Sequence, residues 1–299
     1  KTVRKKSVES GKPKVGIFGI TGCMGCQLQI VYQHDLLKIL EAVDLKAFPV
    51  GKEKNDFDAN YDIVFMEGVV VSEHDLETIK RIRDKTKILV AMGACATDGC
   101  VPAIKNFLDK DNTQKVVYHD KTSHLKIVDP TPIDKHVKVD YYIRGCPVDK
   151  IELLQFMKSV LMGKEFKPDI KPICHTCNLQ NNGCLLEYGK ECLGPVTFGN
   201  CSVMCPHYSH PCIGCRGPYP DANFEAYFAM MEKKGFSRKH IMQRMNKYAG
   251  IKFKDMITEQ LEGKDKEHDH EAHCCFDMFC HSQDQKKREK IINMSEKNA

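Results

Sequence analysis

The stretch "GITGCMGCQ", residues 19 to 27, sets Cys23 and Cys26 two residues apart, directly after an apolar run, "KVGIF". Such a pair can form a redox disulfide, clamp zinc, or supply half of an iron-sulfur site. A second group of thiols lies in "CHTCNLQNNGCLLEYGKECLGPVTFGNCSVMCPHYSHPCIGC". Its eight cysteines divide into Cys174, Cys177, Cys184 and Cys192, then Cys201, Cys205, Cys212 and Cys215. Each set joins a Cys-x-x-Cys pair to two more thiols. Four-iron clusters take four thiolates and tolerate irregular spacing in Gly- and Pro-rich loops. Two structural zinc sites of four cysteines would use the same residue types.

The elements that must hold these thiols follow from periodicity. Over residues 14–163 short apolar runs alternate with helical patterns. Val15 to Ile20, "DIVFMEG", "KILVAMG" and "VKVDYYIRG" read as strands. "CQLQIVYQHDLLKILEA" reads as one helix with Leu28, Val31, Leu36, Ile39 and Leu40 on a face, and "EHDLETIKRIRD" and "VDKIELLQFMKSVLMG" as further helices. This alternation predicts an α/β domain with a parallel sheet covered on both faces. Ligands of such sheets bind at the carboxyl ends of the strands. Cys23 and Cys26, Glu67, Cys95 and Cys146 each follow a predicted strand, so four thiols and a carboxylate converge on one edge. Zinc sites seldom draw ligands from several strand ends of a buried sheet, whereas a redox cluster gains from a dry, rigid seat. Cys23 and Cys26 thus read as half of a four-thiolate site, and three four-iron clusters in one chain make a wire for electrons.

The remaining organisation is a flexible start at 1–13, a cysteine-rich segment at 164–220 with few large apolar residues, a helical pair at 221–255 and a charged tail at 256–299. A segment as poor in core as 164–220 needs metal ligation for cohesion. In the pair, "ANFEAYFAMMEKK" ends at Gly235 and "RKHIMQRMNKYA", capped by Ser237, ends at Gly250. The tail carries His268, His270, His273, Cys274, Cys275, Cys280 and His281, which could bind an extra metal such as zinc or meet a partner, against the plainer reading of a polar tail with incidental ligands.

Composition sets the outer limits. Sixteen cysteines in a chain with 42% apolar content suit metals or clusters better than disulfides in a reducing compartment. A net charge of +5, from 45 basic against 40 acidic residues spread along the chain, gives no sign of nucleic-acid binding. No apolar run reaches the roughly 18 residues of a membrane span, and no signal-peptide core follows the basic start, so the expected location is the cytoplasm.

In "TGCMGCQLQI", "EGVV", "GACA", "GCPVD", "CLGPVT" and "PCIGCRGP", taken in order between residues 15 and 218, the chain resembles the small subunit of cytoplasmic nickel-iron hydrogenases, of the sulfhydrogenase or heterodisulfide-reductase-linked type. The resemblance implies a flavodoxin-like domain whose proximal 4Fe-4S cluster rests on Cys23, Cys26, Cys95 and Cys146. It implies a distal cluster on Cys174, Cys177, Cys184 and Cys192, and a medial one on Cys201, Cys205, Cys212 and Cys215. The nickel-iron centre would sit in a separate large subunit, and the final acceptor would be an NAD(P)H diaphorase, a heterodisulfide reductase or a ferredoxin. Periplasmic members have histidine in the place of Cys174 and proline in that of Cys205. All-thiolate ligation here implies lower potentials for both clusters. Glu67 matches a position near the proximal cluster and the partner contact. It is expected either to pass protons or fix partner geometry, or simply to cap the next helix. Cys100 falls outside the ligand set and reads as a spare thiol, and Pro147 as the start of a helix. Two readings compete: the cluster subunit of a complex-I-like oxidoreductase, which stops after one cluster, and a zinc-stabilised scaffold without redox activity.

Overall fold

A computed structural model describes residues 11–109 and 127–262, with 113, 116, 117 and 119 between them. Five strands, β1 (Lys14–Gly19), β2 (Asp44–Ala47), β3 (Tyr61–Glu67), β5 (Thr86–Met92) and β7 (Tyr141–Ile143), form a sheet in the order β2-β1-β3-β5-β7. Every pairing in it is parallel. Two short strands, β4 (Val70–Ser72) and β6 (Ile127–Thr131), pair antiparallel beside it. β1 and β3 are apolar nearly throughout because both faces of the sheet are covered. The order is that of the flavodoxin-like doubly wound fold, and the direction of winding reverses between β1 and β3.

On one face α1 (Gly25–Val31), α2 (Leu36–Ala42) and the helix Lys150–Leu161 pack Ile30, Ile39, Leu153 and Phe156 against Ile17, Phe65 and Val90. The other face takes α3 (Glu73–Asp84), whose Ile79 and Ile82 meet Val64, Leu89 and Ala91. Ser72 caps α3 by accepting from the Asp75 N–H. α4 (Gly93–Asp98) follows β5 directly, and Lys150–Leu161 is α5. Beyond it come α6 (Ile173–Leu179) and α7 (Met204–His207), set in irregular loops, then α8 (Phe224–Lys233) and α9 (Arg238–Glu262). α8 and α9 bring Phe224, Tyr227, Met231, Ile241 and Phe253 onto Leu193 and Val196, a second core under the cysteine-rich loops. No helix among the described residues is long and apolar enough to cross a membrane.

Three local expectations are corrected. The single helix expected over residues 26–42 is two, broken at Tyr32–Asp35, and Leu28 and Val31 are exposed while Cys26, Gln27 and Ile30 are buried. The rotation turns the polar Gln27 inward beneath the strand end. Strand β7 is only three residues long, because Asp140 instead bonds the edge of β5, its carboxylate accepting from the Leu89 N–H and Arg83. The helix from Arg238 does end at the expected place, since the backbone leaves helical values at Ala249, and a further helical stretch then runs on to Glu262, the two together making up α9. Pro147 does not open a helix: it follows a cis peptide bond in the loop, and α5 begins at Lys150 under the cap of Asp149.

Candidate iron-sulfur centre

The carboxyl edge of the sheet gathers the first four thiols. β1 leads into the loop of Cys23, and Met24 takes a positive φ of 62° so that α1 can start at once and carry Cys26 inward. β5 is followed at once by Gly93, whose φ of +88° turns the chain into α4 and Cys95. A Cβ at Gly93 would stand 2.3 Å from the Cys26 sulfur, so only glycine leaves room for that thiol. Cys146 follows β7, and the Gly145 carbonyl accepts from the Ala94 N–H at 2.7 Å, tying the loops of Cys95 and Cys146 together. The Cys26 sulfur lies within electrostatic range of Cys95 and Cys146. Cys23 stands exposed at the rim of this set.

Glu67, at the end of β3, is 2% exposed. Its carboxylate oxygens accept from the N–H groups of Cys26 and Gln27, both at 3.2 Å. It therefore caps α1, the helix that precedes it in sequence, and satisfies donors that the Cys23 loop leaves open. Burial pushes the Cys26 thiol up, and the Glu67 charge adds to the effect.

Cys100, a spare thiol by spacing alone, belongs to this neighbourhood. It is 2% exposed and its thiol lies against those of Cys146 and Cys95. The neighbouring Cys100 thiol lowers Cys146. The signal that could have found it is its position five residues past Cys95, which the turn at Gly99 folds back onto the set.

The other eight thiols gather in two further seats. Cys174, on α6, lies within electrostatic range of Cys177, Cys184 and Cys192, and burial pushes it up to about 12. A Cβ at Gly194 would come within 3.1 Å of the Cys174 sulfur and 3.4 Å of the Cys192 sulfur. In the remaining set Cys201 couples to Cys205, Cys212 to Cys215, and Cys215 to Cys201. Val203, between Cys201 and Cys205, holds a positive φ of 53°, a strained value for a β-branched residue that curls the loop around its own thiols. Cys212 is fully sealed, and burial raises its thiol well above the ordinary range. Cys184 is exposed.

The set of 201–215 meets both of the others. The Cys146 backbone N–H faces the Cys215 sulfur, joining the first set to the last in sequence. The Cys212 N–H donates to the Cys192 sulfur at 3.3 Å, joining that last set to the one built on α6. The thiols of 201–215 thus lie between the other two sets. Among the described residues no three His, Cys, Asp or Glu side chains converge as ligation of a single metal ion requires.

The donor set fits iron-sulfur clusters. Glycines clear the space beside the Cys26, Cys174 and Cys192 sulfurs, and burial opposes thiolate formation unless a cation supplies the compensating charge. The guanidinium Nε of Arg216, next to Cys215, is buried without a hydrogen-bond partner. His268, His270, His273, Cys274, Cys275, Cys280 and His281 lie outside the described residues.

Residues 23–160 match the family described as NADH ubiquinone oxidoreductase, 20 Kd subunit. The chain is 34% identical over 222 residues to sulfhydrogenase 2 subunit delta of Pyrococcus furiosus, covering 74% of this chain and 92% of that one. It is 30% identical over 234 residues to a subunit of the F420-non-reducing hydrogenase vhu of Methanocaldococcus jannaschii, covering 68% and 81%. Its fold is similar to that of a chain of the reduced, active Ni-Fe-Se hydrogenase of Desulfomicrobium baculatum, with a TM-score of 0.50 and 15% identity over 71% of this chain and 97% of that one.

Proposed function

The chain belongs to the family of the NADH ubiquinone oxidoreductase 20 Kd subunit and hydrogenase small subunits, and on that premise we propose that it is the electron-transfer subunit of a cytoplasmic nickel-iron hydrogenase. The observation that carries this reading is the contact of three four-thiol sets in series, through Cys146 and Cys215 and then Cys212 and Cys192. When bound, 4Fe-4S clusters supply one-electron carriers at each set. Cys23, Cys26, Cys95 and Cys146 would hold the proximal cluster, Cys201, Cys205, Cys212 and Cys215 the medial one, and Cys174, Cys177, Cys184 and Cys192 the distal one.

The chain's own residues hold, insulate and connect these seats. Backbone N–H groups of Val148, Val203 and Gly214 donate to the sulfurs of Cys26, Cys201 and Cys212, offsetting thiolate charge. Burial of Cys26 and Cys212 excludes water. At one end the exposed Cys23 is followed by the exposed apolar side chains of Met24, Leu28 and Tyr32, which supports a large subunit carrying the nickel-iron centre on that side. At the other, exposed Cys184 with Leu179 and Tyr188 nearby in sequence suits contact with an acceptor of the diaphorase, heterodisulfide reductase or ferredoxin type. Glu67 fixes the Cys26 loop at the partner side. Eight thiols beyond the first set favour this function over a one-cluster, complex-I-like subunit.

Anaerobic purification of the native complex, with iron, acid-labile sulfide, nickel and zinc analysis, tests the reading. About twelve irons per chain, with nickel in a co-purifying larger chain, is the expected result, and the other co-purifying chains identify the acceptor. Zinc without sulfide would reject it, and iron without nickel would favour another electron-transfer assembly.

A further inference from the structure

Arg216 is among the largest side chains fully enclosed in the molecule, at 1% exposure. Its Nη1 donates to the Glu152 carboxylate at 2.8 Å and to the Arg144 carbonyl at 2.6 Å, and its Nη2 donates to the other Glu152 oxygen at 2.8 Å. Glu152, 3% exposed, also accepts from Asn200 at 3.1 Å. Asn200 precedes Cys201, and the residue after that cysteine, Ser202, gives its N–H to Asp149 at 2.7 Å. The guanidinium therefore lies between the loop of Cys201 and its own neighbour Cys215, against the Phe198 ring at 5.6 Å. Its charge acts on both thiols.

Arginine brings five N–H donors in a fixed fork. Three of the five are taken by Glu152 and Arg144, and Nε is the one nitrogen of the group left buried without any partner. A buried charged donor left open costs more than a neutral one, so the site is incomplete without an acceptor at that edge. Besides Glu152, the groups that act on the guanidinium by charge are the thiols of Cys201 and Cys215.

We propose that Arg216 Nε–H donates a hydrogen bond to a sulfur of the medial cluster and thereby raises that cluster's reduction potential. Hydrogen bonds to sulfur stabilise the more negative, reduced form. The paired charge of Glu152 cancels much of the long-range field of Arg216, so the short N–H contact carries the effect, and it falls on the medial cluster rather than on the other two. Arg216 is thus a positioning and tuning residue that counters the lower potential set by a fourth thiolate at Cys205. The inference rests on the proposed medial ligand set.

The test uses the anaerobically purified complex, grown with 15N-arginine, and pulsed EPR of the reduced medial cluster with a redox titration alongside. The expected result is a nitrogen coupling that changes between 14N- and 15N-arginine protein, disappears in Arg216→Lys, and is lost together with a negative shift of the medial potential while the proximal and distal potentials hold. Lysine keeps the charge and reach toward Glu152 but has no Nε–H, so a purely structural pin would leave the potential unmoved. A medial signal without arginine coupling in the native complex overturns the inference whether or not the variant assembles. Loss of one cluster's iron and of any medial signal in the native complex instead rejects the ligand set itself, and the inference with it.

Discussion

At the scale of single residues, the distinction that matters is between thiols that ligate and thiols that adjoin. Cys146 and Cys100 lie against one another, yet only Cys146 follows a strand of the sheet directly. Cys146→Ser should remove about four irons per chain, and Cys100→Ser should retain them, by iron and sulfide analysis of the purified complex. Loss of a cluster from Cys100→Ser would make it a ligand. Cys205, on α7 and followed by Pro206, would give the proposed medial set its fourth sulfur. Cys205→Pro should yield a three-iron cluster with a raised potential, visible as a new EPR signal in the oxidised complex; an unchanged spectrum would reject the assignment. The candidate ligand cysteines were legible because type and spacing suffice to mark them. Cys100 and Arg216 were not, since their roles depend on what folds back on them: a turn at Gly99 in one case, the buried pair with Glu152 in the other.

Among the elements, α5 does more than cover the sheet. Its N-cap, Asp149, accepts from the Ile151 and Glu152 N–H groups at 2.9 and 3.2 Å, while its other oxygen holds Ser202. Asp149→Ala should cost about 1–2 kcal/mol as a cap and release the Cys201 loop, lowering the melting temperature of the complex and weakening medial iron retention. Asp35, at the start of α2, makes no side-chain cap bond, and its pair with Lys38 is exposed. Asp35→Ala should therefore leave the melting temperature unchanged. Periodicity predicted β1, β3 and β5 from apolar runs buried on both faces of the sheet, and α3 and α5 from apolar residues that recur along one helix face. It failed at α1 and α2, where Glu67, remote in sequence, caps the first helix and fixes its rotation. It also passed over β2, whose partly buried residues at the sheet edge carry a weak apolar signal.

For the whole molecule, two cores of different kind are joined. The sheet domain has ample apolar packing on both faces, whereas the thiol loops have only Ile173, Val203 and Cys212 buried together, with α8 and α9 as support. Stripping iron with a chelator under reducing conditions should leave most helix and strand signal in circular dichroism but open residues 164–220 to limited proteolysis. Equal resistance of that segment with and without iron would show that the loops stand without ligation. The strand order has a consequence for how the protein is made. The first four thiols come from separate strand-end loops between residues 23 and 146, so their seat exists only once β1, β5 and β7 have joined the sheet. The other eight follow one another between residues 174 and 215, within reach of local chain closure. On the proposed ligand sets, topology would thus schedule the loading of cofactors: two seats could form around their cargo, and one would have to be finished before it is filled.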